Sequence, residues 1–158
     1  YRTVVTVDAL SRLTDVQNIV ALKESAPDTR RFTDLWNAYG DRFRLLAGLD
    51  DVALEGLLLG ASGWVSGLAN AFPEESLKLS AAAARSDLVA ARRLYRWFMP
   101  LLHLDAEHDL VQSIKLTEQL VRRGSERVRP PRLPLIGERR AYVEGIVARA
   151  LAARASLP

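Results

Sequence analysis

Apolar positions along the chain follow two regimes. Up to Pro73, short apolar runs alternate with segments of helical period; after it, only helical periods occur. Residues 8–15 predict a short helix with Leu10 and Leu13 on one side and Thr6 as its N-cap. Asn18-Ile19-Val20-Ala21-Leu22-Lys23 is an apolar run without alternation, which predicts a strand covered on both faces, as in a parallel sheet. Asp28 then caps a helix over 29–39, with Phe32, Leu35, Trp36 and Tyr39 on one stripe and Gly40 as its stop. Phe43-Arg44-Leu45-Leu46-Ala47-Gly48 predicts a second strand, 52–59 a helix closed by Gly60, and Gly63-Trp64-Val65-Ser66-Gly67 a third strand. This succession of strand and helix is the βα repeat, whose right-handed crossovers build a doubly wound sheet or a barrel. Further on, helices are predicted over 74–84, 87–99 (interrupted by Pro100), 109–123 (ended by Gly124) and 138–153. Arg129-Pro130-Pro131-Arg132-Leu133-Pro134-Leu135 reads as extended, because each proline disfavours helix in the residue before it.

Composition narrows the class. The 158 residues are 49% hydrophobic and 26% charged, which excludes a disordered chain. No apolar run reaches the roughly 18 residues of a membrane helix, so no membrane partner is expected. There is no cysteine, which excludes disulfides and thiolate chemistry, and the two histidines, His103 and His108, do not make a zinc site by themselves. They read as surface or interface residues, and Trp36, Trp64 and Trp97 as core or interface aromatics. The net charge of +3 is concentrated in Arg122, Arg123, Arg127, Arg129, Arg132, Arg139 and Arg140. Without a recognised module or stacking aromatics, this stretch reads as a solvated surface, and no nucleic-acid partner is expected. The chain opens at Tyr1 without methionine, straight into Thr3-Val4-Val5-Thr6-Val7, and with no signal-peptide pattern; it reads as a chain entered midway. Three parallel strands do not close a barrel, so missing N-terminal βα units are expected as a partner, in the same polypeptide or in a second one.

In a βα barrel the functional groups sit at the C-terminal ends of the strands. Lys23 is at that end of its run, and strand alternation puts it on one face with Ile19 and Ala21, opposite Val20, Leu22 and Glu24. Facing a lumen, its ammonium would be destabilised by low-dielectric walls, and the neutral amine could attack a ketone or aldehyde to form a Schiff base. The same position also suits a lysine that ends a strand and reaches solvent. Asp50 and Asp51 fit an acid pair, although aspartates after a strand more often cap a helix. Ser66 fits either a hydrogen-bond donor near an imine or a small packing residue.

Three segments carry a resemblance. Asn18-Ile19-Val20-Ala21-Leu22-Lys23-Glu24-Ser25 resembles the Schiff-base lysine signature of the dihydrodipicolinate synthase / N-acetylneuraminate lyase family. Leu45-Leu46-Ala47-Gly48-Leu49-Asp50-Asp51 is similar to its next strand and loop, and Gly60-Ala61-Ser62-Gly63-Trp64-Val65-Ser66-Gly67-Leu68-Ala69-Asn70 to its last strand. The resemblance implies an α/β fold: the last three βα units of a TIM (β/α)8 barrel, over 1–73, followed by a C-terminal helical extension over 74–158. It implies Lys23 as the imine-forming residue, Gly48, Leu49, Asp50 and Asp51 beside the part of the substrate far from the keto acid, and Val65 and Ser66 beside the imine. It implies a class I lyase acting on a small-molecule 2-oxo acid or cyclic imino acid, with no cofactor or metal, in a cytoplasmic homo-oligomer, tetramer or dimer. Segments 97–105, 110–116 and 129–135 are similar to the branch that deaminates 1-pyrroline-4-hydroxy-2-carboxylate, with 4-hydroxy-tetrahydrodipicolinate synthase or another pyruvate aldolase as the alternative. A barrel relative that binds a small acid without turnover is the reading from another class. The family's catalytic tyrosine and carboxylate-holding hydroxyls belong upstream, with Tyr1 aligned to the loop after the missing strand. The polypeptide alone is therefore expected to have no turnover.

Overall fold

The computed structural model describes residues 5–156. A 3-10 turn, Asp8–Leu13, precedes β1 (Ala21–Glu24), α1 (Arg30–Tyr39), β2 (Arg44–Ala47), a second turn (Asp50–Val52), α2 (Ala53–Leu58) and β3 (Gly63–Trp64). A third turn, Leu68–Asn70, leads into α3 (Pro73–Ala84), α4 (Leu88–Ala106), α5 (Leu110–Leu120) and α6 (Gly137–Ala153). The strands form one parallel sheet in the order β1-β2-β3, with Lys23 opposite Leu46 and Ala47 opposite Trp64. The strands and helices thus follow the predicted order, with differences that have local causes.

All three strands are shorter than the sequence suggests. Before β1, the Arg42 guanidinium gathers the carbonyls of Thr14 (2.6 Å), Val16 (2.8 Å) and Ile19 (3.0 Å), which holds that stretch as a loop. β1 is an edge strand, Val20 is 62% exposed, and Ala21 and Leu22 are half-buried. Thr6 accepts a hydrogen bond from the Ala9 amide (3.1 Å), as expected of a cap, and Asp28 accepts one from the Arg30 amide (3.1 Å) at the start of α1. Gly40 ends α1 with a positive φ of 55°, a conformation that costs glycine nothing. On α1, Phe32 and Leu35 are buried, but Trp36 is 50% exposed and is not a core residue.

Two apolar clusters meet at Trp64. One lies between the sheet and α1 and α2, built on Leu10, Phe32, Leu35, Leu45 and Ala47. The larger one, with Phe72, Leu79, Leu94, Phe98, Leu102, Val143 and Val147, holds the four C-terminal helices together. Within it, Phe72 makes edge-to-face contacts with both Trp97 and Phe98, and the Trp97 indole donates to the Ala150 carbonyl (3.0 Å), tying α4 to α6.

Pro100 does not interrupt α4, which runs on to Ala106. Pro100 and Arg96 lie on the exposed face, so the carbonyl that loses its amide partner faces water, while Leu101, Leu102 and Leu104 beyond the proline stay buried. Burial of that last turn outweighs the local cost. Pro100→Ala is expected to raise stability by about 1 kcal/mol, part of the helix-propensity difference, read as a higher urea midpoint with unchanged slope. α5 stops at Leu120, ahead of Gly124, and the left-handed residue after it is Arg122 (φ 60°). The arginine-rich stretch is not simply a solvated surface. Arg139 is half-buried and joins Asp109 (2.7 Å) and Glu107 across the start of α5, and Arg140 pairs with Glu126 and Glu144. These carboxylates hold the Arg139 guanidinium firmly in its charged form, and Arg139 holds Asp109 below the ordinary carboxylate range.

Candidate functional site

The C-terminal ends of the strands bring Lys23, Gly48, Asp50 and Ser66 together. Within β1, Leu22 packs toward Phe32 and Leu35, and Glu24 accepts from the Arg31 guanidinium of α1 (2.8 Å). Leu22 and Glu24 therefore face α1, and alternation places Lys23 on the opposite face. A methyl group at Gly48 would stand 2.5 Å from Lys23 Cγ and 2.8 Å from Cε, and would also strike the Ser25 hydroxyl. The lysine stem thus lies directly across Gly48, whose amide continues the β1–β2 ladder to the Glu24 carbonyl (2.8 Å). Only glycine leaves room for this crossing.

Lys23 is exposed among the described residues, with β1 at the edge of the three-stranded sheet that they form. It is not locked to a carboxylate: among the described residues it makes no hydrogen bond or ion pair. Its charge is nonetheless felt by Asp105.

Neither Asp50 nor Asp51 caps α2, which corrects the capping expectation. Leu49 is half-buried and extended, and it turns the Asp50 carboxyl inward. There Asp50 is fully buried and accepts from the Trp64 indole, the Ser66 hydroxyl and the Leu68 amide, each at 2.9 Å. These donors arrive with β3 and the turn after it, and they outcompete the local helix start. Burial, and then the Asp105 charge, push the Asp50 pKa up to about 6, while the three donors restrain the rise. Asp51 contacts the other side: its Oδ2 pairs with His103 Nδ1 (2.9 Å), and its Oδ1 is buried without a partner among the described residues.

Ser66 is committed to Asp50 and also accepts from the Ala69 amide (3.0 Å), so its proton is directed at a carboxylate. Val65 is exposed, with its amide on the Ala47 carbonyl (2.8 Å). Tyr1 lies outside the described residues.

The sequence reading missed Asp105, at the end of α4. Its Oδ2 accepts from the Asp50 amide (3.4 Å), and a methyl group at Gly67 would stand 2.5 Å from its Oδ1. Burial raises the Asp105 pKa above the usual carboxylate range, the Asp51 charge adds to this, and the Asp50 amide and Lys23 draw it back. The signal for it was an acidic residue ending an apolar stripe (Leu101, Leu102, Leu104) that is otherwise wholly buried. Tyr95 was missed as well: its hydroxyl lies 2.6 Å from the Asp51 carbonyl and 2.7 Å from Glu55, and ties α4 to the same loop. Among the described residues no three His, Asp or Glu side chains are grouped to hold a metal ion.

The chain has relatives in sequence and in fold. The 4-hydroxy-tetrahydrodipicolinate synthase of Acidobacterium capsulatum is 32% identical over 127 residues, covering 80% of this chain and 42% of the relative. That of Koribacter versatilis is 30% identical over 141 residues, 89% and 47% of the two chains. Among solved structures, the 4-hydroxy-tetrahydrodipicolinate synthase of Methylacidiphilum fumariolicum SolV superposes with a TM-score of 0.86 at 27% identity, covering 96% of this chain and 51% of that one. The chain spans about half the length of these relatives. Its sheet and helices therefore match half of a TIM-barrel protein. With the family pattern matching residues 2–150, the chain belongs to the dihydrodipicolinate synthetase family.

Proposed function

We propose that this chain carries the nucleophilic lysine of a class I lyase acting on a 2-oxo acid. The observation that carries the reading is the placement of Lys23, laid across Gly48 at the C-terminal end of β1 and free of any ion pair among the described residues. In its neutral form the Lys23 amine adds to the oxo carbon, its proton passing to the former carbonyl oxygen; the carbinolamine hydroxyl then takes a proton from solvent and leaves as water, and the nitrogen lone pair closes the C=N bond of an iminium ion. That ion draws electrons from the adjacent carbon, so a bond there can be made or broken. The pyruvate complex of the Acinetobacter baumannii dihydrodipicolinate synthase, whose fold this chain shares, supports pyruvate as the imine-forming acid. The second reading, deamination of a hydroxylated cyclic imino acid such as 1-pyrroline-4-hydroxy-2-carboxylate, is favoured by Asp105, a carboxyl with spare acceptor capacity beside the site.

Residues 1–73 serve in this reading as the barrel portion and 74–158 as its helical extension. The remaining βα units complete the wall around Lys23, and the cytoplasmic protein assembles as a tetramer or dimer. The test is borohydride reduction of the intact protein with pyruvate, followed by peptide mass spectrometry. The expected result is one stable pyruvyl adduct, on Lys23. No adduct with pyruvate, a hydroxylated oxo acid or a cyclic imino acid would favour a barrel relative that binds small acids without turnover.

A further inference from the structure

A groove of about 500 Å³ lies between α4 and α6, within the range of small-molecule sites. Each helix offers it one stripe at helical spacing: Arg96, Met99 and His103 from α4, and Tyr142, Ile146 and Arg149 from α6. Ile146 is buried and Met99 half-buried, so the inner wall is apolar, while Arg96 and Arg149 are exposed. The Trp97 indole on the Ala150 carbonyl (3.0 Å) fastens the two helices at the level of these two arginines. Arg149 folds back along α6, its Nη1 3.3 Å from where a methyl group at Gly145 would stand. On α4, His103 and Asp105 are two residues apart and so point about 200° apart around the axis. The groove is therefore separate from the face of α4 on which Asp105 meets Gly67 and the Asp50 amide.

We infer that this groove binds a small organic anion, its carboxylate or phosphate head between Arg96 and Arg149 and its aromatic or aliphatic body against Met99, Ile146 and Tyr142. Charge complementarity selects the occupant. Arg139, Arg140 and Arg154 each pair with a carboxylate, whereas Arg96 and Arg149 line the groove from facing helices. Two like charges on facing walls repel, and an anion between them replaces the repulsion with two attractions. The guanidinium fork also matches the paired oxygens of a carboxylate or phosphate. The apolar wall rewards a body that leaves water, which separates an organic anion from an inorganic one. The remaining wall is held in place before any ligand arrives. The Tyr95 hydroxyl lies 2.6 Å from the Asp51 carbonyl and 2.7 Å from Glu55, and His103 Nδ1 pairs with Asp51 (2.9 Å). Little ordering is then left for binding to cost. The Asp51 and Glu55 carboxylates stand behind Tyr95 and His103, which directs the anionic head to the arginine side. The inference does not depend on the role of Lys23.

The experiment titrates the intact protein by calorimetry with phenyl phosphate and with benzoate. Inorganic phosphate and benzyl alcohol serve as probes of the head and the body alone. At least one of the two aromatic anions should saturate at one per chain, and the tighter one identifies the head group. Inorganic phosphate and benzyl alcohol should each bind at least about 10-fold more weakly. The double variant Arg96→Gln/Arg149→Gln should weaken the aromatic anion by at least about 10-fold, with benzyl alcohol binding and pyruvate trapping at Lys23 unchanged. In the unsubstituted protein, saturation with the aromatic anion should also shift the His103 imidazole resonances, and this measurement decides the matter if the double variant does not fold. Lack of saturable binding by both aromatic anions, as when a second copy or another part of the protein fills the groove, overturns the inference. Inorganic phosphate or benzyl alcohol binding as tightly as the aromatic anion overturns it as well. So does undiminished binding in the double variant, or His103 resonances that stay in place at saturation.

Discussion

Lys23→Arg is expected to abolish reductive trapping and to reduce turnover by at least about 10³-fold, with little change in stability. Arginine keeps the length and the positive charge, but its guanidinium stays protonated at any accessible pH and cannot add to a carbonyl. Lys23 is exposed and unpaired among the described residues, so no folding interaction is lost with it. Gly48→Ala makes the complementary change. It leaves the amine in the protein but places a methyl group 2.5 Å from Lys23 Cγ, so the stem must swing aside. Misplacing a reacting group by about 1 Å can cost about 10²-fold, and a trapping rate lowered by that order is expected for Gly48→Ala. The two variants separate chemistry from position: the first removes the adduct, and the second slows its formation. Trapping of Lys23→Arg at the native rate, with the adduct on another residue, would sink the assignment.

The order of strands and helices was legible because it depends on local patterns. A run of four to six apolar residues between turn-formers, repeated with helical segments between, leaves few parallel folds. Gly40 and Asp28 act where their chemistry places them. What was not legible is long-range. Asp50 and Asp105 are 55 residues apart in the chain, and His103 and Asp51 are 52 apart. Nothing in the periods around residue 105 says that the last turn of α4 will land on Gly67. The expectation that Asp50 or Asp51 caps the helix failed for a related reason: the donors that win the Asp50 carboxyl come from Trp64, Ser66 and Leu68, on the next βα unit, and Asp51 pairs with His103. Pro100 misled in another way, because a local breaking tendency was weighed without the buried Leu101, Leu102 and Leu104 that follow it. The place of Lys23 at the end of β1 was legible, because strand alternation depends on the run's own residues.

Asp50 is the residue whose loss should cost the fold most. It is fully buried and receives three hydrogen bonds, from an indole, a hydroxyl and an amide. Asp50→Ala leaves those donors unpaired in a packed site and is expected to destabilise the intact protein by about 3–5 kcal/mol. The pH dependence runs opposite to that of a salt-bridged carboxylate. Folding raises the Asp50 pKa from 3.8 to about 6, so the folded state binds the proton more tightly than the unfolded chain. The resulting stabilisation is complete below about pH 4 and is lost as the pH rises through about 6. A shift of this size corresponds to about 3 kcal/mol. The lowered carboxyls, such as Asp109 beside Arg139, act in the other sense, losing stability as the pH falls below their unfolded values. Asp50→Asn isolates the Asp50 contribution. It stays neutral at every pH, so the stability difference between the unsubstituted protein and the variant should shrink by up to about 3 kcal/mol from pH 4 to pH 7. Urea titrations of both proteins at matched pH measure it. A difference that stays flat across that range would mean that Asp50 ionises as freely in the fold as in water. The Trp64, Ser66 and Leu68 donors would then fully offset its burial and the Asp105 charge.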